Sequence, residues 1–382
     1  MQKYLFFSSY VRCSLCCRRY AMASKIFFHG SDIEKICSYY HLDRDKIINF
    51  AANVNPLGLS ALVKEAISTH LDLLSSYPDR NYTSLRETIS NYCGIPADFV
   101  LPGNGSSELI SLLIEEKAPR HTLILGPTYS EYSRELSFSG STQEYYHLQE
   151  GSNFVLDIDD LCRTLRQGYD FLILCNPNNP TSSAVSQQEL RRLLAFCRDR
   201  NIFVMIDETY IEFVPDIQAF TAVPLTMEFQ NLMVLRGVSK FFAAPGLRMG
   251  YGISGNNDFL AKMRNKQTPW SLNSLGAFAG ELMLRDQKYI SKTRELILSE
   301  RKRLFQALSE MPAYQVYPAY ANFFLLKIQK EGLTSIQVFE NCIKNRLMIR
   351  DCSSFQCLDG EYIRFCIMMP EDNDRLLEVL RQ

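Results

Sequence analysis

The sequence has almost no net charge: 41 basic and 42 acidic side chains leave a formal −1 over 382 residues. Without a basic excess there is no footprint for a phosphate backbone, which argues against a histone-like nucleic-acid binder. Long apolar runs are also missing, and none approaches the length a bilayer-spanning helix needs. There are no Gly/Ser linkers, internal repeats or low-complexity tracts. Cysteine is too sparse for a disulfide scaffold, since the chain has 12 and nine of them lie scattered in apolar or helical stretches such as Phe171 to Cys175. A reduced, cytoplasmic protein is the expected setting.

The other three, Cys13, Cys16 and Cys17, stand in a basic stretch with no acidic residue before Asp32. No second Cys/His pair follows at zinc-finger spacing, so no metal site is expected, and the apolar run Tyr4 to Phe7 is too short for a signal peptide. Residues 1–24 are therefore read as an extension without fixed structure.

The rest of the chain is apolar enough, at 46%, and long enough for two units around a sizeable core. From about Ala61, helical stretches alternate with short runs that are apolar on both faces: His121 to Leu125, Asp170 to Cys175, Ile202 to Ile206, Leu232 to Leu235 and Gly250 to Ile253. That pattern predicts an α/β fold with a mostly parallel sheet sandwiched by helices. After Pro269 a helical stretch, Leu272 to Met311, precedes strands Ala321 to Ile328, Leu347 to Asp351 and Tyr362 to Ile367, a smaller α+β unit. The expected division is an arm over the active site (25–60), a large cofactor-binding unit (61–271) and a small C-terminal unit (272–382).

Ligands of open parallel sheets bind beyond the carboxyl ends of the strands. The loops there carry Asn176-Pro177-Asn178-Asn179-Pro180-Thr181, Asp207-Glu208-Thr209-Tyr210, and Arg236-Gly237-Val238-Ser239-Lys240 with Gly246-Leu247-Arg248 beyond. Each residue type has a reason to be there if the ligand is pyridoxal 5'-phosphate. Lys240 can form a Schiff base with an aldehyde, and Asp207 can keep a pyridine nitrogen protonated, so that the ring accepts electrons. Asn179 and Tyr210 can donate to the phenolate oxygen. Ser239, Arg248 and the amides after Gly103-Asn104-Gly105-Ser106, at the start of the helical stretch Glu108 to Ile114, can take a phosphate. Tyr129 could stack on the ring. Taken singly, each feature has an ordinary structural explanation as a turn, a cap or an exposed lysine. Arg350 and Arg364 lie in apolar strands, where an ion pair is the usual explanation, and Trp270, the only tryptophan, is more often core than site.

The joint order and spacing of these motifs resembles the fold-type I, aspartate-aminotransferase-like family of pyridoxal-phosphate enzymes, over nearly all of residues 27 to 382. His29-Gly30, Phe50-Ala51-Ala52-Asn53-Val54-Asn55-Pro56-Leu57-Gly58 and Pro269-Trp270-Ser271-Leu272-Asn273 place it near the histidinol-phosphate aminotransferase-like branch. The resemblance implies a homodimer with shared active sites, acting on a small phosphorylated amino-acid substrate. The implied reaction is decarboxylation of L-threonine O-3-phosphate for cobalamin biosynthesis, with histidinol-phosphate transamination as the alternative. It implies that Arg364 holds the substrate carboxylate, that Arg350, His29 and Asn53 hold its phosphate, and that Tyr82 reaches the cofactor phosphate of the neighbouring subunit. The chain departs from the family at two places: Gly237 stands where Ser or Thr is usual, removing one hydroxyl from the phosphate cup, and Ser182 stands where Gly is usual.

Overall fold

The structure, a computed structural model, describes residues 32–382, so the extension 1–24 and His29 lie outside it. A seven-stranded sheet runs in the order Val100–Asn104, Met249–Ile253, Leu232–Gly237, Phe203–Asp207, Phe171–Cys175, His121–Gly126, Thr142–His147. All neighbours pair in parallel except Met249–Ile253, which runs antiparallel to the strands on both its sides. The inner strands Phe171–Cys175 and Phe203–Asp207 are buried at every residue. Side chains apolar on both faces are stable only in a sheet covered on both sides, which is why these segments read as continuous apolar runs.

Helices close off the strand connections with local signals. Gln187–Arg198 begins at a capping box in which Ser186 accepts from the Glu189 amide while Glu189 reaches back to the Ser186 amide. Asp157 and Asn256 cap the helices Ile158–Leu165 and Asn257–Lys266 by accepting from Asp160 N and Phe259 N.

A second sheet has the order Arg350–Asp351, Tyr362–Cys366, Phe323–Ile328, Tyr314–Val316, with every neighbouring pair antiparallel. The segment expected as one strand, Leu347 to Asp351, divides between two sheets. Leu347–Met348 pairs in parallel with Ile48–Asn49 of the arm, and only Arg350–Asp351 joins the larger sheet. The helical stretch Leu272 to Met311 is likewise two helices, Ser274–Arg285 and Gln287–Ser309, broken where Asp286 accepts from the Tyr289 amide. Ser274–Arg285 packs on the helices Ala61–Thr69 and Thr83–Cys93, while Gln287–Ser309 packs on the strand Tyr314–Val316. The two helices thus meet different partners on either side of Asp286, and because helical periodicity continues through the cap the sequence pattern does not show this break.

The arm is tied to both units. Asn55 donates through Nδ2 to the Phe241 carbonyl, the Tyr289 hydroxyl and Thr293 Oγ1 at 2.8, 2.9 and 2.9 Å, and its amide donates to the Lys240 carbonyl at 3.0 Å. The Phe50 carbonyl accepts from the Cys366 amide at 2.8 Å. Ser182, at the position where the resemblance leads one to expect glycine, has φ +59° and is fully buried. Its hydroxyl accepts from the amides of Tyr320 and Ala321 at 3.2 and 2.9 Å, bonds a glycine could not make across the boundary between the units.

Candidate active site

A cavity of about 460 Å3 opens where the carboxyl ends of the central strands meet the smaller unit and the arm. Asn53, Ser106, Tyr129, Asn179, Asp207, Tyr210, Ser239, Lys240, Arg248, Arg350 and Arg364 all line it, so eleven of the side chains expected from the sequence converge. Gly105 adjoins it through Arg248. Tyr82 does not line it: its buried hydroxyl donates to the Leu272 carbonyl at 2.9 Å and accepts from the Leu272 amide at 3.2 Å.

Lys240 follows the strand Leu232–Gly237 and points its Nζ at the Ala52 carbonyl of the arm, 2.7 Å away. Burial, helped by the charges of Arg364 and Arg248, pushes its ammonium down to about 8. An amine that loses its proton so close to neutrality is a usable nucleophile and proton carrier.

Asp207 ends the strand Phe203–Asp207 and is buried with every near partner a donor. Oδ2 accepts from the Tyr132 hydroxyl at 2.6 Å, and Oδ1 accepts from the Thr209 amide at 2.9 Å and hydroxyl at 2.5 Å. Tyr210 lies one turn on, its ring packed edge-on against Phe323 at 5.0 Å and its hydroxyl accepting from Asn53 Nδ2 at 3.3 Å. Tyr129 packs edge-on against Tyr132 at 5.6 Å, and burial pushes its phenol up to about 12.

The anion cradle rests on close backbone approach. Gly105 opens the helix Gly105–Lys117 at φ +77°, and a Cβ there would meet Arg248 Nη2 at 2.6 Å. A Cβ on Gly250 would meet the Ser106 amide nitrogen at 2.5 Å. The helix N-terminus, Arg248 and the adjacent strand can therefore converge only because both positions lack side chains. Gly237 obeys the same geometry more loosely: a Cβ would stand 3.2 Å from the Met249 carbonyl oxygen, so a side chain there would press on the neighbouring strand.

Arg350 and Arg364 are direct partners across antiparallel strands, hence on one face of the sheet. Arg350 donates to Ser354 Oγ at 2.7 Å, while Arg364 donates to the Ala51 carbonyl at 2.7 Å and to Asn179 Oδ1. All of these acceptors are neutral, while the charges of Asp351 and Asp32 also reach Arg350. Arg364 is buried, and its Nε has no acceptor. A buried guanidinium with neutral partners and a spare N–H has the donors to take an anion.

Sequence reasoning missed several lining residues, Tyr132, Thr209, Ser354 and Phe355 among them. Tyr132 is three positions after Tyr129 on the helix Glu131–Ser139, and Thr209 is two after Asp207; both spacings could have suggested them. Ser354 and Phe355 sit in a loop with no strand-end signal. Trp270 corrects the expectation of a core residue: it is 40% exposed and stacks on Tyr77 at 4.7 Å, because Pro269 and its own φ of +56° turn it out of the fold.

Residues 45–380 match the family model described as aminotransferase class I and II, and the chain belongs to that family of pyridoxal-phosphate enzymes. Within it, the chain is 35% identical over 353 residues to the threonine-phosphate decarboxylase of Salmonella typhimurium, covering 92% of this chain and 95% of that one. Among solved structures it is similar to the histidinol-phosphate aminotransferase of Clostridium acetobutylicum, with TM-score 0.81, 31% identity, and coverage of 87% and 97% of the two chains. The L-threonine-O-3-phosphate decarboxylase of Porphyromonas gingivalis, at 23% identity and TM-score 0.75 over 86% of this chain and 96% of that one, shares the fold.

The residues present fit the cofactor. The glycine-lined cradle with Arg248, Ser106 and Ser239 suits its phosphate, Asp207 its pyridine nitrogen, Tyr210 and the Asn179 amide its phenolate oxygen, and Lys240 its aldehyde.

Proposed function

We propose that this protein decarboxylates L-threonine O-3-phosphate to 1-aminopropan-2-ol O-2-phosphate, a precursor suited to cobalamin biosynthesis. The observation that carries this reading is the Arg350/Arg364 pair: two guanidinium groups on one face of the sheet, hydrogen-bonded to neutral acceptors, in the cavity that holds Lys240. A substrate carrying both a carboxylate and a phosphate matches two adjacent cationic forks.

Pyridoxal phosphate, when bound, supplies a sink for the electron pair left as the bond to the carboxylate breaks. Arg364 would hold the carboxylate and so fix the bond that is to break, and Arg350 and Asn53 would hold the phosphate, with His29 as the further expected contact. Asp207, fixed by Tyr132 and Thr209, keeps the charge of the pyridine nitrogen. Lys240 would hold the cofactor aldehyde in the resting enzyme, and its amine, near neutrality in proton affinity, would carry a proton to Cα, which balances the loss of CO2 and leaves the amine product.

The apolar surface formed by Leu71, Leu74, Tyr77 and Trp270, each at least 40% exposed, supports a homodimer. Tyr82 stands at the base of this region, and its assignment to the neighbouring subunit's cofactor belongs to the same reading. The nine described cysteines are all free, which supports a reducing cytoplasmic setting.

Histidinol-phosphate transamination is the second reading, favoured by the Clostridium acetobutylicum likeness. Incubation of the purified enzyme with each substrate decides between them. Release of CO2 and aminopropanol phosphate from threonine phosphate is expected; conversion of histidinol phosphate that depends on a keto acid, with no CO2 from threonine phosphate, would overturn the decarboxylase reading. Borohydride reduction should leave cofactor on Lys240 in the parent and on no lysine in Lys240→Ala.

A further inference from the structure

The loop between the strands Arg350–Asp351 and Tyr362–Cys366 brings an aromatic side chain against both substrate arginines. The Phe355 ring centroid lies 5.5 Å from Cζ of Arg350 and 6.0 Å from Cζ of Arg364, and the ring lines the cavity. The loop is fixed where it leaves the sheet. The Cys352 amide donates to the Tyr362 carbonyl at 3.0 Å, and the Phe355 amide donates to the Cys352 carbonyl at 3.0 Å. Ser353 bonds the Asp351 carboxylate through its amide at 3.0 Å and its hydroxyl at 2.7 Å. Leu358 anchors the far side in the core. Ser354, next to Phe355, accepts from Arg350.

Two like charges directly opposite each other on neighbouring strands repel. Among the described residues no carboxylate is hydrogen-bonded between them; what stands beside both is the negative face of one aromatic ring. The ring thus orients the guanidinium groups toward the cavity while remaining uncharged, so their charge is left for a ligand. A carboxylate at that place would neutralise the pair and abolish the anion site. The ring also fills the space beside the arginines, where a ligand bearing an aromatic side chain would need room.

Resting on the decarboxylase reading, we propose that Phe355 is a specificity-determining residue: it holds Arg350 and Arg364 at the spacing bridged by a short substrate with a carboxylate and a phosphate, and it excludes ring-bearing phosphorylated amines. The holoenzyme is titrated with O-phospho-L-threonine and with histidinol phosphate, in the parent and in Phe355→Tyr, Phe355→Leu and Phe355→Ala. Losing two cation–π contacts should weaken O-phospho-L-threonine about tenfold in Phe355→Leu, at nearly constant side-chain bulk. Phe355→Tyr should bind like the parent, and only Phe355→Ala should gain affinity for histidinol phosphate. If the leucine and alanine variants bind both ligands as the parent does, the proposal is wrong. The titrations decide it independently of chemistry: a parent that binds O-phospho-L-threonine without releasing CO2 would overturn the decarboxylase reading and leave the role of Phe355 to the binding data.

Discussion

Replacing Tyr132 by phenylalanine tests whether Asp207 is held by its surroundings or merely located among them. The change removes a single oxygen atom. Tyr132 is fully buried and its hydroxyl is 2.6 Å from Asp207 Oδ2. Burial first, and the Asp207 charge second, raise the phenol well above its ordinary value, so it remains a donor over the whole working pH range. The variant leaves Oδ2 without this donor while Thr209 still serves Oδ1. A hydrogen bond to a charged group contributes about 1.5 to 3 kcal/mol, and the small void left by one oxygen adds little, so a loss of about 2 kcal/mol is expected. Urea unfolding of the cofactor-free chain at pH 7 measures it, at fixed protomer concentration because assembly shifts apparent stability. A double-mutant cycle with Asp207→Asn isolates the pair, and the Tyr132→Phe penalty should shrink when the carboxylate is already gone. A penalty under about 0.5 kcal/mol, or one equally large in both backgrounds, would refute the argument, because a typical hydrogen bond to a charged partner contributes more than that.

Lys240 makes stability depend on pH. Its folded-state ammonium titrates near 8 against an ordinary 10.5, so between those values the unfolded chain holds a proton that the folded chain has released. The cofactor-free parent should therefore gain stability relative to Lys240→Met as pH rises from about 8 to 10.5, and parallel stability curves would contradict the burial argument. Gly250→Ala places a methyl group 2.5 Å from the Ser106 amide nitrogen, so the phosphate cradle must spread; retention of cofactor after dialysis should fall sharply, and parent-like retention would mean the cradle is not the phosphate site. Arg364→Lys should impair decarboxylation more than it impairs binding of aminopropanol phosphate, which lacks the carboxylate, whereas Arg350→Ala should weaken both threonine phosphate and aminopropanol phosphate. The opposite pattern in binding titrations would reverse the two assignments.

The central strands were legible because burial on both faces leaves one signature, an unbroken apolar run, as in Phe171–Cys175 and Phe203–Asp207. The strand Thr142–His147 lies at the sheet edge and reads Thr-Gln-Glu-Tyr-Tyr-His, with only Tyr146 buried, so it does not share that signature. Val100–Asn104 contains Pro102, Gly103 and Asn104 and reads as a turn; it is a strand because its pairing with Met249–Ile253 supplies what propensity does not. The same contrast divides the site. Lys240, Asp207, Asn179 and Tyr210 sit at or just beyond strand ends, where topology says to look. Tyr132 and Phe355 act through the third dimension, one from a helix and one from a loop, and only the folded chain shows what they face.

The two carbonyls of the arm behave as a built-in competitor. Ala52 O takes the Lys240 ammonium and Ala51 O takes the Arg364 guanidinium, each at 2.7 Å, so consecutive peptide groups occupy the two donors that the chemistry must free. The cofactor has to displace the first and the substrate the second. Because Asn55 also ties this segment to the Lys240 backbone, the arm is bonded to both the side chain and the main chain of the lysine that the cofactor must reach. Amide exchange of the arm, followed as cofactor and then substrate are added, should report in turn the release of the bond at Lys240 and of the bond at Arg364.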